Sequence, residues 1–421
     1  MKKWVILILC LFSFLPQLRA EEGIRAKQVL GWVISGRGDS LAAAFHPDLR
    51  TNLSAADMSA LCVLQWKQLE KRLGCLCQQS AMQRVFDDSL KMDQCYLDFK
   101  NGKALFSLLT DKQHHVVGYN LSLITVPQGE KDSITASHLY IEEDTMICNG
   151  RIQLPATYCR PVGNQSHPIV VIVHGSGPTD RNGTIGANHP YRDVAHWLAS
   201  YGIATLRYDK RTFIYGVRSN EIGGPLNYDT EVVDDAVKAL EIASHLPGVD
   251  SKRVFLLGHS LGGMLAPRIL AASKTPVAGM IACAAPARSL RELMRSQFRF
   301  MAQLQGGTNE KAESLADLIY MKMPTTYRSL AEAYNPVAEA RSKHLPMLFL
   351  QGGLDFMVTG KDFNLWKQGL GSRKNVSFVW IPNCDHLLRE QTKMATPEAY
   401  VRAGRLSALA IHAVVAFVSE R

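Results

Sequence analysis

The hydrophobic pattern divides the chain into a leading part of mixed periods and a longer part in which apolar runs and helical stripes take turns. After an apolar stretch from Trp4 to Leu15, the clearest helical period runs from Ser54 to Leu73, where Met58, Leu61, Leu64, Gln65, Leu69 and Leu73 recur near 3.6 residues. Strand-like runs follow. Cys95 to Phe99 and Ala104 to Leu109 flank Asn101-Gly102, a hairpin signal, and Val116 to Leu123 alternates after Asp111-Lys112. The polar stretch from Pro127 to Ser133 marks a boundary. Beyond it, two short strands within Ile141 to Tyr158 surround Asn149-Gly150, a second hairpin signal.

From there the two periods alternate. Apolar strands are expected at Ile169 to Val173, Ile203 to Leu206, Val254 to Leu257, Val277 to Ala282, Met347 to Leu350 and Val376 to Trp380. Helices are expected at Tyr191 to Tyr201, Thr230 to His245, Leu261 to Ser273 and, last, Ala399 to Val418. This order predicts an α/β fold, a mostly parallel sheet covered on both faces. Between Ala287 and Asn335 it is interrupted by helical sequence carrying Met294, Phe298, Phe300, Met301, Leu304, Met321, Met323 and Tyr327. An insertion there, over the carboxyl ends of the strands, would act as a lid, and its mixed methionine and aromatic side chains suit a variable apolar pocket.

With 421 residues there is material for about two domains. Lys2 and Lys3, the apolar stretch and Leu18-Arg19-Ala20 read as a secretory signal with its cleavage site, too short to span a bilayer, so an exported protein without a stable membrane anchor is expected. Its removal lowers the formal charge from +9 to +6, and no basic run interleaved with aromatics remains, which argues against a nucleic-acid partner. The mature chain keeps Cys62, Cys75, Cys77, Cys95, Cys148, Cys159, Cys283 and Cys384. In an oxidising compartment Cys148 with Cys159 is a candidate staple across the second hairpin, and Cys75-x-Cys77 lacks the second pair a zinc site needs.

The chemistry is concentrated in three places. Arg253 to Gly263 is an apolar strand running through Gly258-His-Ser-Leu-Gly262 into a helix, the form of a nucleophile elbow that exposes Ser260 on a strained turn. Chance alone would produce this spacing in roughly one such chain in six, so context must decide. A serine hydroxyl needs a base, and the base needs a carboxylate to hold its tautomer. Leu348 to Asp355 is a buried strand ending in a glycine turn and an acid, and Trp380 to His386 is the next strand followed by a histidine. The expected triad is Ser260, Asp355 and His386. Asp385 is the rival acid, but it directly precedes the histidine and is poorly placed to reach the far nitrogen of that ring. The oxyanion donors are expected to be the backbone N–H of Leu261 and, from His174-Gly-Ser-Gly-Pro178, that of Ser176, with Gly177 the alternative. Asp180, Arg181 and Asn182 either line the pocket mouth or form a structural loop network.

These residues resemble the α/β-hydrolase superfamily, and more narrowly exported bacterial esterases of the dienelactone-hydrolase and prolyl-oligopeptidase-like branch. The narrower resemblance rests on His174-Gly-Ser-Gly-Pro-Thr-Asp-Arg-Asn-Gly183, Leu206-Arg-Tyr-Asp-Lys-Arg211 and Leu350-Gln-Gly-Gly-Leu-Asp355, and covers about residues 140 to 421. Together with the signal read over 1–20 and the small accessory α+β domain read over 24–127, it implies an α/β-hydrolase catalytic domain over 134–421 with a lid at about 287–335. The implied activity is cleavage of short to medium acyl or aryl carboxylic esters through an acyl-enzyme, on a small-molecule substrate, with no metal or organic cofactor. An oligopeptidase-type serine peptidase and a catalytically silent binding protein on the same scaffold are the alternatives.

Overall fold

The computed structural model describes residues 24–47, 55–87, 90–100, 102–123, 139–163, 165–216, 219–304 and 306–421. The expected signal over 1–20 and the boundary stretch Pro127 to Ser133 lie outside them. The chain divides into two compact units, Met1–Ser133 and Ile134–Arg421.

In the first unit, helices Ile24–Ser35, Gly38–Ala44 and Ala55–Leu73 accompany a five-stranded antiparallel sheet. Its strands are β1 (Leu76–Gln79), β2 (Gln83–Asp87), β3 (Leu90–Phe99), β4 (Gly102–Asp111) and β5 (Val116–Leu123), with β1 and β2 both paired to β3. Phe99 pairs with Gly102, so the glycine expected in the turn is the first residue of β4. The core gathers Val29, Leu30, Val33, Trp66, Phe106 and Tyr119. Gln65, the polar member of the helical stripe, accepts the Tyr119 hydroxyl at 2.7 Å, and the Cys62 thiol lies 3.5 Å from the same buried phenol oxygen.

The second unit carries an eight-stranded sheet in the order β13-β12-β11-β10-β8-β9-β7-β6. Strands β6 (Tyr140–Asn149), β7 (Ile152–Pro161), β8 (His167–Val173), β9 (Ala204–Tyr208), β10 (Val249–His259), β11 (Gly279–Cys283), β12 (Met347–Gly352) and β13 (Val376–Ile381) are numbered along the chain. From β9 to β13 the sheet is parallel, and β6 and β7 form an antiparallel edge. Every residue of β8, β11 and β12 is buried, because both faces are covered, and this is why these strands read as unbroken apolar runs.

Three expectations are corrected. Cys148 and Cys159 are free thiols: Cys148 pairs with Gln153 and Cys159 with Glu142, six positions along the ladder, about 20 Å apart. The final helix is broken into Pro397–Val401 and Ala408–Ser419. The intervening chain instead pairs with the loop after β13, with Glu390 N–H donating to Arg405 O and Ser407 N–H to Leu388 O. The helix expected at Thr230 to His245 opens as a π turn, Asp229–Val233, before the α-helix Asp234–Ala243. The insertion forms helices Leu290–Gln303, Asn309–Lys322 and Thr325–Ala333; Met294, Phe298, Met301, Met323 and Tyr327 are buried in it, whereas Met321 is exposed. No helix among the described residues is long and apolar enough to cross a membrane.

Candidate active site

The elbow is built by local sterics. Between β10 and the helix Leu261–Ala272, Ser260 adopts φ 54° and ψ −118°, a conformation that costs a non-glycine residue on the order of 1–3 kcal/mol. The Ser260 N–H donates to Cys283 O on β11 at 2.9 Å, and its carbonyl accepts from Met264 N–H at 2.9 Å in the first helical turn. Glycine is required on both sides. A Cβ at 258 would lie 2.3 Å from Gly262 O, and one at 262 would lie 2.6 Å from both Val173 O and His174 O. Strand and helix therefore meet backbone to backbone, and the serine occupies the apex between them.

The candidate acid and base arrive from neighbouring strands. Asp355, just beyond β12, accepts the N–H groups of Met357 and Val358 on Oδ1 at 2.8 and 2.9 Å. Its Oδ2 accepts from Gln351 Nε2 at 3.2 Å and from His386 Nδ1 at 2.7 Å. Facing a carboxylate, His386 Nδ1 carries the proton, which leaves Nε2 as the basic nitrogen. Both side chains are buried. Ser260 Oγ and His386 Nε2 share no hydrogen bond among the described residues; such contacts commonly tighten only around substrate. The rival acid, Asp385, has a different task. It accepts from the N–H groups of Leu387 and Arg389, from the Arg389 guanidinium at 2.7 Å and from Gln391 Nε2 at 2.9 Å, and so pins the histidine loop.

The loop after β8 approaches from the other side. A Cβ on Gly175 would stand 3.1 Å from the Ser260 Cβ, so the backbone passes close to the serine. The Gly175 N–H donates to the Tyr191 hydroxyl at 3.1 Å. On the same loop Ser176 is exposed and Gly177 turns with φ 84°. Leu261 N–H is the first amide of the helix, without an intrahelical partner and at the positive end of its dipole. Asp180, Arg181 and Asn182 form a structural network: Asp180 accepts from Asn182, Thr184 N–H and the Thr184 hydroxyl, and Arg181 N–H donates to Asp209 at 2.7 Å.

Sequence reasoning missed the groups that join these parts. The Tyr191 hydroxyl is 2.9 Å from His259 Nδ1, and His259 Nε2 is 2.8 Å from His386 O. A carbonyl can only accept, so His259 carries its proton on Nε2 and receives the tyrosine hydrogen on Nδ1. Burial, reinforced by the His386 charge, brings the pKa of His259 down to about 3, and burial with the nearby Lys210 ammonium does the same to His174. Both rings are neutral in the working range. His259 lies inside Gly-x-Ser-x-Gly and His174 opens the β8 loop, but nothing local in either motif names a partner 68 or 127 residues away.

One group of side chains among the described residues could hold a metal ion, His46, Asp111 and His115 in the first unit, with ligand atoms within 4.8 Å of one another. There Asp111 accepts the His115 amide at 2.7 Å and ring Nδ1 at 2.9 Å, which closes the turn between β4 and β5.

The alpha/beta hydrolase family model matches residues 170–403. The chain is similar to Esterase EstD of Thermotoga maritima, 30% identical over 369 residues that cover 85% of this chain and 86% of that protein. Among solved structures it is similar to a Pyrococcus furiosus esterase, with 18% identity, TM-score 0.45 and coverage of 69% of this chain and 94% of that one. It is also similar to a puromycin-hydrolyzing peptidase of Mycobacterium tuberculosis, with 16% identity, TM-score 0.46 and coverage of 82% and 47%. The family model over residues 170–403 and the relative that is 30% identical over most of both chains lead to one conclusion: the chain belongs to the alpha/beta hydrolase family.

Proposed function

We propose that the protein is a serine carboxylesterase that acts on a small-molecule ester through an acyl-enzyme. The single observation that carries the assignment of roles is the 2.7 Å bond between His386 Nδ1 and Asp355 Oδ2, formed on loops at the same end of the sheet as the strained Ser260. The similarity to an esterase over most of both chains supports the ester as substrate class. His386 Nε2 takes the Ser260 proton as Oγ attacks the ester carbonyl. The carbonyl oxygen becomes the oxyanion, stabilised by the N–H groups of Leu261 and Ser176. Collapse of the tetrahedral adduct breaks the carbon–oxygen bond to the alcohol, which leaves with the proton from His386. Water then enters, gives a proton to His386 and releases the acid, and Ser260 recovers its hydrogen. Asp355 remains anionic throughout and holds the ring in one tautomer. The helices over 287–335 serve as the lid, and acyl chains of short to medium length are the preferred range. The basic start, apolar stretch and Leu18-Arg19-Ala20 support a periplasmic or secreted site of action.

Purified protein is expected to release nitrophenol from short-chain nitrophenyl esters, and Ser260→Ala to lower kcat by at least about 10³-fold. A Ser260→Ala variant as fast as the parent would remove the nucleophile from this account.

A further inference from the structure

Lys210 stands just beyond β9, is 2% exposed, and forms an ion pair at 2.5 Å with Glu231, whose side chain is fully buried. Replacing a buried ion pair by apolar groups of similar volume is often neutral or stabilising, because desolvation of both charges offsets their attraction. Stability is therefore a weak reason for this pair, and its other contacts suggest a stronger one. Lys210 Nζ also donates to Gly175 O at 3.0 Å. The backbone N–H of Lys210 donates to Thr179 O at 3.0 Å on the same loop. On the far side, the second oxygen of Glu231 accepts the Tyr327 hydroxyl at 3.0 Å, from the helix Thr325–Ala333 of the insertion. Glu231 itself lies in the π turn Asp229–Val233, a rare backbone form found mostly at functional sites.

The Gly175 carbonyl and the Ser176 N–H belong to one peptide unit. That unit is planar and trans, so its C=O and N–H point in opposite directions. Whatever holds the carbonyl sets the direction of the amide. We infer that Lys210 is a positioning residue of the oxyanion hole: by holding Gly175 O it aims the Ser176 N–H at the developing oxyanion, and Glu231 and Tyr327 fix the ammonium and tie it to the insertion. The other end of Gly175 is held by Tyr191, so both sides of the residue are clamped. A cation on the carbonyl also polarises the peptide and strengthens its N–H as a donor. The inference rests on the esterase reading and deepens it, because it names what prepares the oxyanion site and through which side chains the insertion reaches it.

The test is the double variant Lys210→Met with Glu231→Gln, which removes both charges and leaves no buried ion unpaired. Folding is checked by circular dichroism and thermal midpoint, and active sites are counted by stoichiometric labelling with a fluorophosphonate. The expected result is a fall in kcat per labelled site of about 10- to 100-fold, part of what loss of a whole oxyanion donor costs. KM stays within about threefold and affinity for a trifluoromethyl ketone that mimics the tetrahedral adduct falls in step with kcat, as expected when an interaction acts mainly in the transition state. A purely structural pair would lower the midpoint or the labelled fraction and leave kcat per labelled site unchanged, and that outcome overturns the inference. Should the double variant fail to fold, Tyr327→Phe, which keeps the ion pair and removes only its tie to the insertion, is read the same way, with a smaller fall expected and equality with the parent again decisive against it. Parent protein that neither turns over esters nor labels at Ser260 overturns the esterase reading and this inference with it; parent activity matched by the variant overturns the inference alone.

Discussion

The two halves of the candidate site are held by different physics. The serine half is built around one short motif, in which Gly258 lets strand and helix meet, Gly262 lets the helix pass the backbone of Val173 and His174, and Ser260 takes a positive-φ turn between them. The acid–base half is a long-range construction. Asp355 is held by Met357, Val358 and Gln351, the His386 loop by the buried Asp385–Arg389 pair, and the loop after β12 continues into the buried Arg288–Asp362 pair. The first half tolerates no added volume, whereas the second tolerates no lost charge.

The largest effect is expected on the acid–base side. Asp355→Asn keeps the shape of the site but presents an amide to His386, so the wrong tautomer becomes available and kcat falls by about 10³- to 10⁴-fold with little change in fold, measured by steady-state kinetics beside circular dichroism. Two paired substitutions sharpen the contrast. Gly262→Ala sets a methyl group against two carbonyl oxygens and is expected to cost more than about 3 kcal/mol of stability, read from urea midpoints, while Asp385→Asn leaves the Arg389 guanidinium short of its partner and is expected to cost about 3 kcal/mol. Gly262→Ala should be rescued by no change of charge, whereas Asp385→Asn combined with Arg389→Met, which removes the unpaired cation, should recover part of the loss.

The pH dependence of stability reports on the junction between the halves. His259 and His174 have folded pKa values near 3, far below the ordinary 6.5, so below pH 6.5 the unfolded chain binds protons that the folded one refuses. Stability is therefore fully present above pH 6.5 and declines as pH falls toward 3, by up to about 1.4 kcal/mol per unit for each ring. Thermal midpoints between pH 7 and 4 should follow this slope, and His259→Gln should flatten it. A slope unchanged in that variant removes His259 from the explanation.

Legibility in the sequence follows the same division. The elbow could be read because its signature lies within residues 258–262, although the close approaches at Gly262 are to Val173 and His174, and the strands of the parallel sheet could be read because burial on both faces leaves apolar runs such as Ile169 to Val173 and Met347 to Leu350. Asp355 and His386 were legible as strand ends. What was not legible depends on contacts between distant segments: the Tyr191 hydroxyl on Gly175, Lys210 on the same residue, and the chain over 402–407 drawn out of a helix to pair with the His386 loop. The hairpin signals were right about pairing and shifted in detail, since Phe99 closes on Gly102 and Asn149 on Ile152. The thiols at 148 and 159 suggested a bridge by their nearness in sequence, and only the ladder register separates them.

The central claim is that Ser260 is made nucleophilic by His386. It is tested most directly by mass spectrometry of the protein after brief exposure to a fluorophosphonate, for the parent and for His386→Ala. The account predicts one adduct per chain on the peptide containing Ser260 in the parent, and labelling slowed by at least about 10³-fold in the variant. An adduct on another residue, or equal labelling of Ser260 without the imidazole, would contradict it.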